Sequence, residues 1–211
     1  MVASFAALSA SRQDQAMAAV CAVESAARPL PGALFPALAE ASLRHVVEDV
    51  LAASGRVLIS SASGFISGYD DDTAQRLAEE GIGILGSIDR AVLAFIMIFS
   101  VAVPRAEGEF PADAPWTAGR PVPDAFFKDS LLQNVDTDPA IRRLRNASLI
   151  HRVPGKGFVL GDQFNRLTKR ASTLLFEQLI LLADPGGSLA ESITRHREAT
   201  ASAVSSVGGV L

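Results

Sequence analysis

The run from Ala91 to Val103 constrains the fold more than any other stretch of the chain. It is thirteen residues long, with a single serine and no charge, so every face of a helix built from it is apolar. Such a helix needs neighbours on all sides, which predicts a central core helix that is capped by Ser87 or Asp89 and ended by Pro104. Because a membrane-spanning helix needs about 20 apolar residues, we predict no membrane span.

Alanine-rich, periodically apolar segments surround this run and predict a mainly helical protein with small β-hairpins. With 49% hydrophobic residues and a mean hydropathy of +0.27, the chain can bury a core. Strand and turn patterns predict two hairpins, one over 57–66 and one over 149–160. Helices are expected over 4–27, 34–53, 70–80, 87–103, 124–133, from 138, over 171–183 and from 188.

The sequence suggests three regions. Residues 1–86 form a helical N-terminal region with the first hairpin, 87–170 a central region with the second hairpin, and 171–211 C-terminal helices available for dimerisation. A proline-rich loop over 107–123 contains Trp116, the only tryptophan. We expect Trp116 to pin this loop to the body, with a ligand lid as the alternative.

The stretch from Ile141 to Arg170 carries the main functional signal. It contains eight basic residues and one acid, Asp162, whereas the whole chain has 19 basic and 23 acidic residues. The rest of the chain therefore has 11 basic and 22 acidic residues, and a window of charge +7 stands in a protein of net charge −4.

Locally, this stretch predicts a helix, a hairpin and a second helix. Thr137 or Asp138 is a plausible N-cap, and Pro139 follows at the helix start, where its missing N–H costs nothing. The residues 154–157, Pro-Gly-Lys-Gly, form a strong turn signal between two short apolar strands. Gly161 and Asp162 are expected to open the next helix.

This pattern resembles the recognition helix and wing of winged helix-turn-helix domains, over about residues 124–168. The resemblance rests on twelve positions: Leu144, Ala147, Leu149, Ile150, Arg152, Gly155, Gly157, Leu160, Phe164, Arg166, Leu167 and Thr168. It implies a winged-helix-like fold for the region over 87–170. Within that region it implies a reading helix in the major groove of DNA, a support helix over 124–133 and a wing against the backbone or minor groove.

Under that resemblance the basic residues fall into three groups. Helix arginines would contact bases or phosphates, wing residues would contact the duplex beside them, and residues after the wing would hold the backbone. Alternatively, the stretch is a solvated basic surface or contacts only proteins. The groups are Arg142, Arg143 and Arg145; Arg152 and Lys156; and Arg166, Lys169 and Arg170.

Other motifs point away from catalysis and metal binding. The acids Asp70–Asp72 lack the alternating spacing of a calcium loop and are better placed to cap a helix. The glycines of 81–86 match no phosphate loop. The histidines, His45, His151 and His196, have no ligand spacing. We therefore predict no metal, no cofactor and no enzymatic activity.

The lone cysteine, Cys21, precludes an intramolecular disulfide and fits a reducing cytoplasm, and no signal peptide is recognisable. The leading hypothesis is a cytoplasmic regulator that binds duplex DNA as a homodimer. The alternative is a winged-helix interaction subunit of a larger assembly, similar to accessory subunits of chromosome-condensing complexes, for which the hairpin at 57–66 would supply a second wing. A third hypothesis is a small-molecule-binding protein.

Overall fold

The computed structural model describes residues 2–111, 113–128 and 135–207. Over these ranges the chain is mainly helical and contains two antiparallel two-stranded hairpins. The predicted fold class, mainly α with small β-hairpins, is confirmed.

The two long helices predicted near the N-terminus are each interrupted. Ser9 has an extended backbone and starts a new helix, and Glu40 is extended at φ −83° and ψ 119°. Pro36 stands in the first turn of the short helix between them, where it needs no N–H partner. The observed helices are α1 (Ala3–Ala6), α2 (Ala10–Ser25), α3 (Pro36–Ala39) and α4 (Ala41–Ala52).

The first hairpin follows α4 directly. Strand β1 (Arg56–Ser61) pairs with β2 (Gly64–Tyr69), and Leu30 forms an isolated antiparallel bridge to Phe65 on the other edge of β2. The predicted hairpin is thus confirmed and extends further than expected. Helix α5 (Asp71–Glu79) begins after Asp70, whose carboxylate accepts a 2.8 Å hydrogen bond from the Thr73 N–H, as the capping prediction required.

The apolar run forms a longer helix than predicted. Helix α6 (Ser87–Met97) continues through a π-helical turn, Ile98–Ala102, into α7 (Val103–Ala106). The cap is Gly86, so the prediction of Ser87 or Asp89 as the cap is wrong, and so is the prediction that Pro104 ends the helix.

Pro104 is tolerated inside this helix because both destabilising effects of a proline, the lost hydrogen bond and the steric crowding, are compensated. A proline within a helix removes the hydrogen bond to the carbonyl four residues earlier and crowds that carbonyl. Here that carbonyl belongs to Ser100, in the π-helical turn, and it accepts a 2.8 Å hydrogen bond from the Arg120 N–H of the following loop. The helix therefore passes through Pro104.

The continuous helix over 87–106 is 20 residues long and contains a window of mean hydropathy 1.8. Length and composition alone would allow this helix to cross a membrane, because it is seven residues longer than the apolar run of thirteen. In the folded protein 44% of that window is buried, and Val92, Ile96 and Val101 are almost fully enclosed. The absence of a membrane span stays a prediction.

The central region places a second hairpin against this helix. Strand β3 (Ile150–Val153) pairs with β4 (Gly157–Leu160), and Val122 forms an isolated bridge to Phe158 on the other edge of β4. The hairpin predicted over 149–160 is thus confirmed. The predicted support helix is described only in its first part, and Leu131 and Leu132 lie outside the described residues. The elements are α8 (Asp124–Lys128), α9 (Asp138–Asn146), β3 (Ile150–Val153) and β4 (Gly157–Leu160).

Beyond the second hairpin, the helix expected at Gly161 and Asp162 is a 3-10 turn over Asp162–Arg166. Helix α10 (Lys169–Ala183) then starts at Thr168, whose hydroxyl accepts a 3.0 Å hydrogen bond from the Ala171 N–H. Helix α11 (Ser188–Val207) follows.

Most of the buried apolar residues form two clusters. One joins α2, α3 and α4 through side chains such as Val23, Leu38 and Leu51. The other surrounds the helix over 87–106 and includes the buried faces of α9, β3, β4 and α10. Trp116 belongs to this second cluster and donates a 2.7 Å hydrogen bond from Nε1 to the Ser172 hydroxyl, so it does pin its loop.

Candidate nucleic-acid interface

Helix α9 presents a basic face to solvent because its apolar residues recur every four positions. Ala140 and Leu144 are buried against the second cluster, and Arg142 and Arg145 project outward. The helix packs on α6, which positions it rigidly at the surface. The outward arginines are therefore held on a fixed support.

Arg143 has a separate role. It forms a two-pronged ion pair with Asp89 of α6, with 2.9 Å from Nε to Oδ2 and 2.6 Å from Nη2 to Oδ1. The Asp89 side chain is only 8% exposed. The hydrogen bonds from Arg143 lower the pKa of Asp89, and the same contact raises the pKa of Arg143. Arg143 thus anchors α9 to the core helix.

The hairpin contributes Arg152 on β3. Its guanidinium pairs with the carboxylate of Asp124, at the start of α8, and lies 5.2 Å from the centre of the Phe158 ring. Both members of the ion pair are about half exposed. Phosphate could therefore displace the carboxylate, since an exposed ion pair is weak.

A surface cleft of about 410 Å³ lies between the end of α9 and β3. Three arginines, Arg142, Arg145 and Arg152, line it together with Asn146, His151 and Ile150. The neighbouring concavity adds two carboxylates, Asp124 and Asp138, on the side of α8. The cleft is therefore rich in hydrogen-bond donors and acidic along one rim.

Lys156 lies at the exposed tip of the hairpin, and Lys169 and Arg170 lie in the exposed first turn of α10. Within the described ranges these three side chains, and those of Arg142 and Arg145, form no ion pair or side-chain hydrogen bond. They are available to an external anion.

Arg166 is placed differently from the other predicted site residues. Its guanidinium donates to three backbone carbonyls of the N-terminal part: 2.5 Å to Ser67, 3.0 Å to Glu24 and 2.7 Å to Ala26. Partial burial lowers its pKa, and Arg56 nearby acts in the same direction. Arg166 links the two halves of the described fold.

The structure thus brings Arg142, Arg145 and Arg152 together at one cleft, with Lys156 on the same hairpin. Arg143 and Arg166 are engaged in internal contacts. The sequence did not indicate that Asn146 and His151 line the cleft. It also did not indicate that Asp89 and Asp124 are ion-pair partners of arginines. Asn146 and His151 are each next to a predicted arginine in the sequence. Neighbouring residues point in different directions on a helix or a strand, so periodicity alone would not have included these two. No local signal identifies Asp89, 54 residues from Arg143.

Among the residues that the structure describes, no group of three or more histidine, cysteine, aspartate or glutamate side chains could hold a metal ion. No protein-family model matches the sequence, and no curated protein is significantly similar to it. The cleft must be interpreted from its own chemistry.

Proposed function

We propose that the protein binds duplex DNA through α9 and the β3–β4 hairpin. The observation that carries this proposal is the cluster of Arg142, Arg145 and Arg152 around one exposed cleft, two of them without an internal partner. Arginine forks match phosphate oxygens and the O6 and N7 atoms of guanine. Lys156, at the hairpin tip, supplies a further phosphate contact.

The order of elements supports the same proposal. The apolar helix α6 is followed by the bridging residue Val122 and then by α8. Helix α9, with its basic outer face, and the β3–β4 hairpin come next. This order is the one in which winged helix-turn-helix domains place a reading helix and a wing. The sequence resemblance and the strand pairing are separate arguments, since one rests on residue types and the other on backbone contacts.

The proposal assigns contacts to a smaller set than the eight basic residues expected from sequence. Arg142, Arg145, Arg152 and Lys156 contact the duplex, and Lys169 and Arg170 are two further exposed cations at the start of α10. Arg143 acts indirectly by anchoring α9. Arg166 stabilises the fold. A regulator of transcription that acts as a homodimer in the cytoplasm is the biological setting we propose for this contact.

A second candidate is an interaction subunit of a larger assembly, in which the same elements bind protein. The specific observation in its favour is the first hairpin, which repeats the arrangement of the second: β2 lies between β1 and the bridging residue Leu30. Two such units in one chain suit an assembly subunit as well as a regulator. The net charge of −4 also favours a protein partner over nucleic acid.

Fluorescence anisotropy with random duplex DNA at two salt concentrations tests the first proposal. Wild-type protein should bind at low salt and weaken as salt rises, because phosphate contacts release counterions. An R142A/R145A variant should bind at least about tenfold more weakly and lower the salt slope by about 2. The control R76A/R195A, which removes two exposed arginines elsewhere, should keep wild-type affinity. No binding by the wild type at low salt would refute the proposal and favour the protein-partner candidate.

A further inference from the structure

One eight-residue pattern occurs twice in the chain. Arg28–Phe35 has the sequence RPLPGALF and Arg120–Phe127 has RPVPDAFF, so that five of eight positions are identical. In both segments the third residue forms the isolated bridge to a hairpin: Leu30 to Phe65 and Val122 to Phe158. Sequence similarity and strand pairing therefore coincide at the same positions.

The two hairpins also share an uncommon backbone contact. Gly64 has φ +130°, and a Cβ built on it would lie 2.1 Å from the Leu30 carbonyl oxygen. Gly157 has φ +121°, and its Cβ would lie 2.0 Å from the Val122 carbonyl oxygen. Each glycine begins its strand and precedes the bridged phenylalanine. In both places the carbonyl of the bridging residue leaves no room for a side chain at the glycine.

A third correspondence lies between helix and hairpin. Gly55 after α4 and Ser148 after α9 both have positive φ, +70° and +55°. Four residues earlier, Leu51 and Leu144 are buried. Gly55 and Ser148 are separated by 93 residues, as are Leu51 and Leu144 and also Gly64 and Gly157, whereas Leu30 and Val122 are separated by 92. Ser148 is the one non-glycine residue with positive φ in the described ranges, so its agreement with Gly55 is informative.

We infer that the chain is a tandem of two copies of one unit, and that only the second copy contacts duplex DNA. The first unit comprises α2, α3, α4 and the β1–β2 hairpin, and the second comprises α6, α8, α9 and the β3–β4 hairpin. The inference about DNA rests on the proposed function. It adds that each chain carries one DNA-contacting surface, although it carries two copies of the scaffold.

The first reason is that none of the four proposed DNA-contacting cations is repeated. Arg142, Arg145 and Lys156 correspond, 93 residues earlier, to Asp49, Ala52 and Ser63. Arg152, which pairs with Phe158, corresponds to Ser60, which pairs with Phe65. Where the second unit is cationic, the first is acidic or neutral. An acidic residue at the helix position repels phosphate and would oppose binding there.

The second reason is that the chain covers this face of the first unit itself. Helix α1 packs on α4, and the Ser4 hydroxyl donates a 2.6 Å hydrogen bond to Asp49, the position that corresponds to Arg142. Phe5 and Leu8 pack against the adjacent apolar cluster. In the second unit, by contrast, Arg142 is exposed and without a partner in the described part of the chain.

Protection of engineered cysteines from alkylation by bound duplex DNA distinguishes the two units within the whole chain. Cys21 is the only cysteine and is exposed, so C21S provides a background without thiols. The variants C21S/S63C and C21S/K156C place one thiol at matched, exposed positions on the two hairpins. Alkylation rates are measured with and without a saturating random 20-base-pair duplex at low salt, after anisotropy has established binding.

We expect DNA to slow alkylation of the K156C thiol by about tenfold or more and to change that of the S63C thiol by less than about twofold. Protection of the S63C thiol, alone or together with that of K156C, would overturn the inference while leaving DNA binding intact. Binding without protection of either thiol would place the duplex elsewhere and overturn both proposals. If no variant and no wild-type protein binds the duplex, the proposed function fails and the inference about DNA falls with it.

Discussion

At the residue scale, the site is controlled by which arginines are already paired. Arg142 and Arg145 have no internal partner in the described structure, Arg152 has a weak and exposed one, and Arg143 has a nearly buried one. These residues are chemically identical and close in sequence. Their availability to an external anion is set by carboxylates on other elements.

The carboxylate of Asp124 competes with phosphate for Arg152. Replacing Asp124 with asparagine should raise duplex affinity by about two- to fivefold, because one repulsive charge and one exposed ion pair are removed. The matched control is D162N, which removes a charge that pairs with Arg28 and does not line the cleft or the neighbouring concavity. Anisotropy titrations of the two variants at one salt concentration make the comparison. Equal effects of D124N and D162N would show that only net charge matters.

The pair of Asp89 and Arg143 predicts a pH dependence of stability. Because its folded-state pKa lies below the ordinary value of 3.8, Asp89 stabilises the fold above that pH, and this contribution is lost as the pH falls through the folded-state pKa. Wild type should therefore unfold at higher urea concentration than D89N at pH 7, with the difference shrinking below pH 3.8. D14N, at an exposed position without an ion pair in the described ranges, should show no such gap.

At the element scale, each hairpin depends on a glycine that lies against the carbonyl of a bridging residue: Gly64 against Leu30 and Gly157 against Val122.

The turn residues in the sequence predicted where both hairpins lie, because Pro-Gly-Lys-Gly and Ser-Ala-Ser-Gly are local signals. The same local reasoning failed at Pro104, because a hydrogen bond from Arg120 and a π-helical turn rescue the helix. Long-range contacts decided that element.

Substitution of Gly157 by alanine should destabilise the protein by about 3 kcal/mol or more. Both the positive φ and the clash with the Val122 carbonyl contribute. Gly155, in the same hairpin, has φ +72° but nothing within 4 Å of its Cβ, so G155A should cost only about 1–2 kcal/mol. Urea unfolding measures both variants. Similar losses in the two would mean that the bridge to Val122 is not a tight contact.

At the scale of the whole molecule, the two units are joined by the segment that follows the second hairpin. Arg166 reaches three carbonyls of the first unit, and Thr168 donates a 2.6 Å hydrogen bond to Asp71. Arg28 pairs with Asp162 across the same junction. This segment belongs to the predicted DNA-binding stretch, yet its contacts are internal.

Arg166→Ala should destabilise the junction by about 2 kcal/mol or more. Hydrogen bonds from a charged group contribute about 1.5–3 kcal/mol each, and the guanidinium of Arg166, which donates three, is partly exposed. Hydrogen exchange should accelerate in β2 and at the end of α2. R166K should rescue little, because an ammonium group cannot span three carbonyls in the same way. Duplex affinity of the folded R166A protein should stay within about twofold of wild type. A large loss of affinity with normal exchange would instead place Arg166 at the DNA.

The sequence by itself determined the mainly helical class, the two hairpins, the cap at Asp70 and the location of the basic stretch, because each depends on residues a few positions apart. Tertiary structure decided which basic residues are exposed and unpaired. The partner of Arg143 lies 54 residues away, that of Arg152 lies 28 away, and the carbonyls bound by Arg166 lie 99 to 142 away. The charge of a segment is a local property, whereas the pairing of its charges depends on contacts that only the folded chain creates.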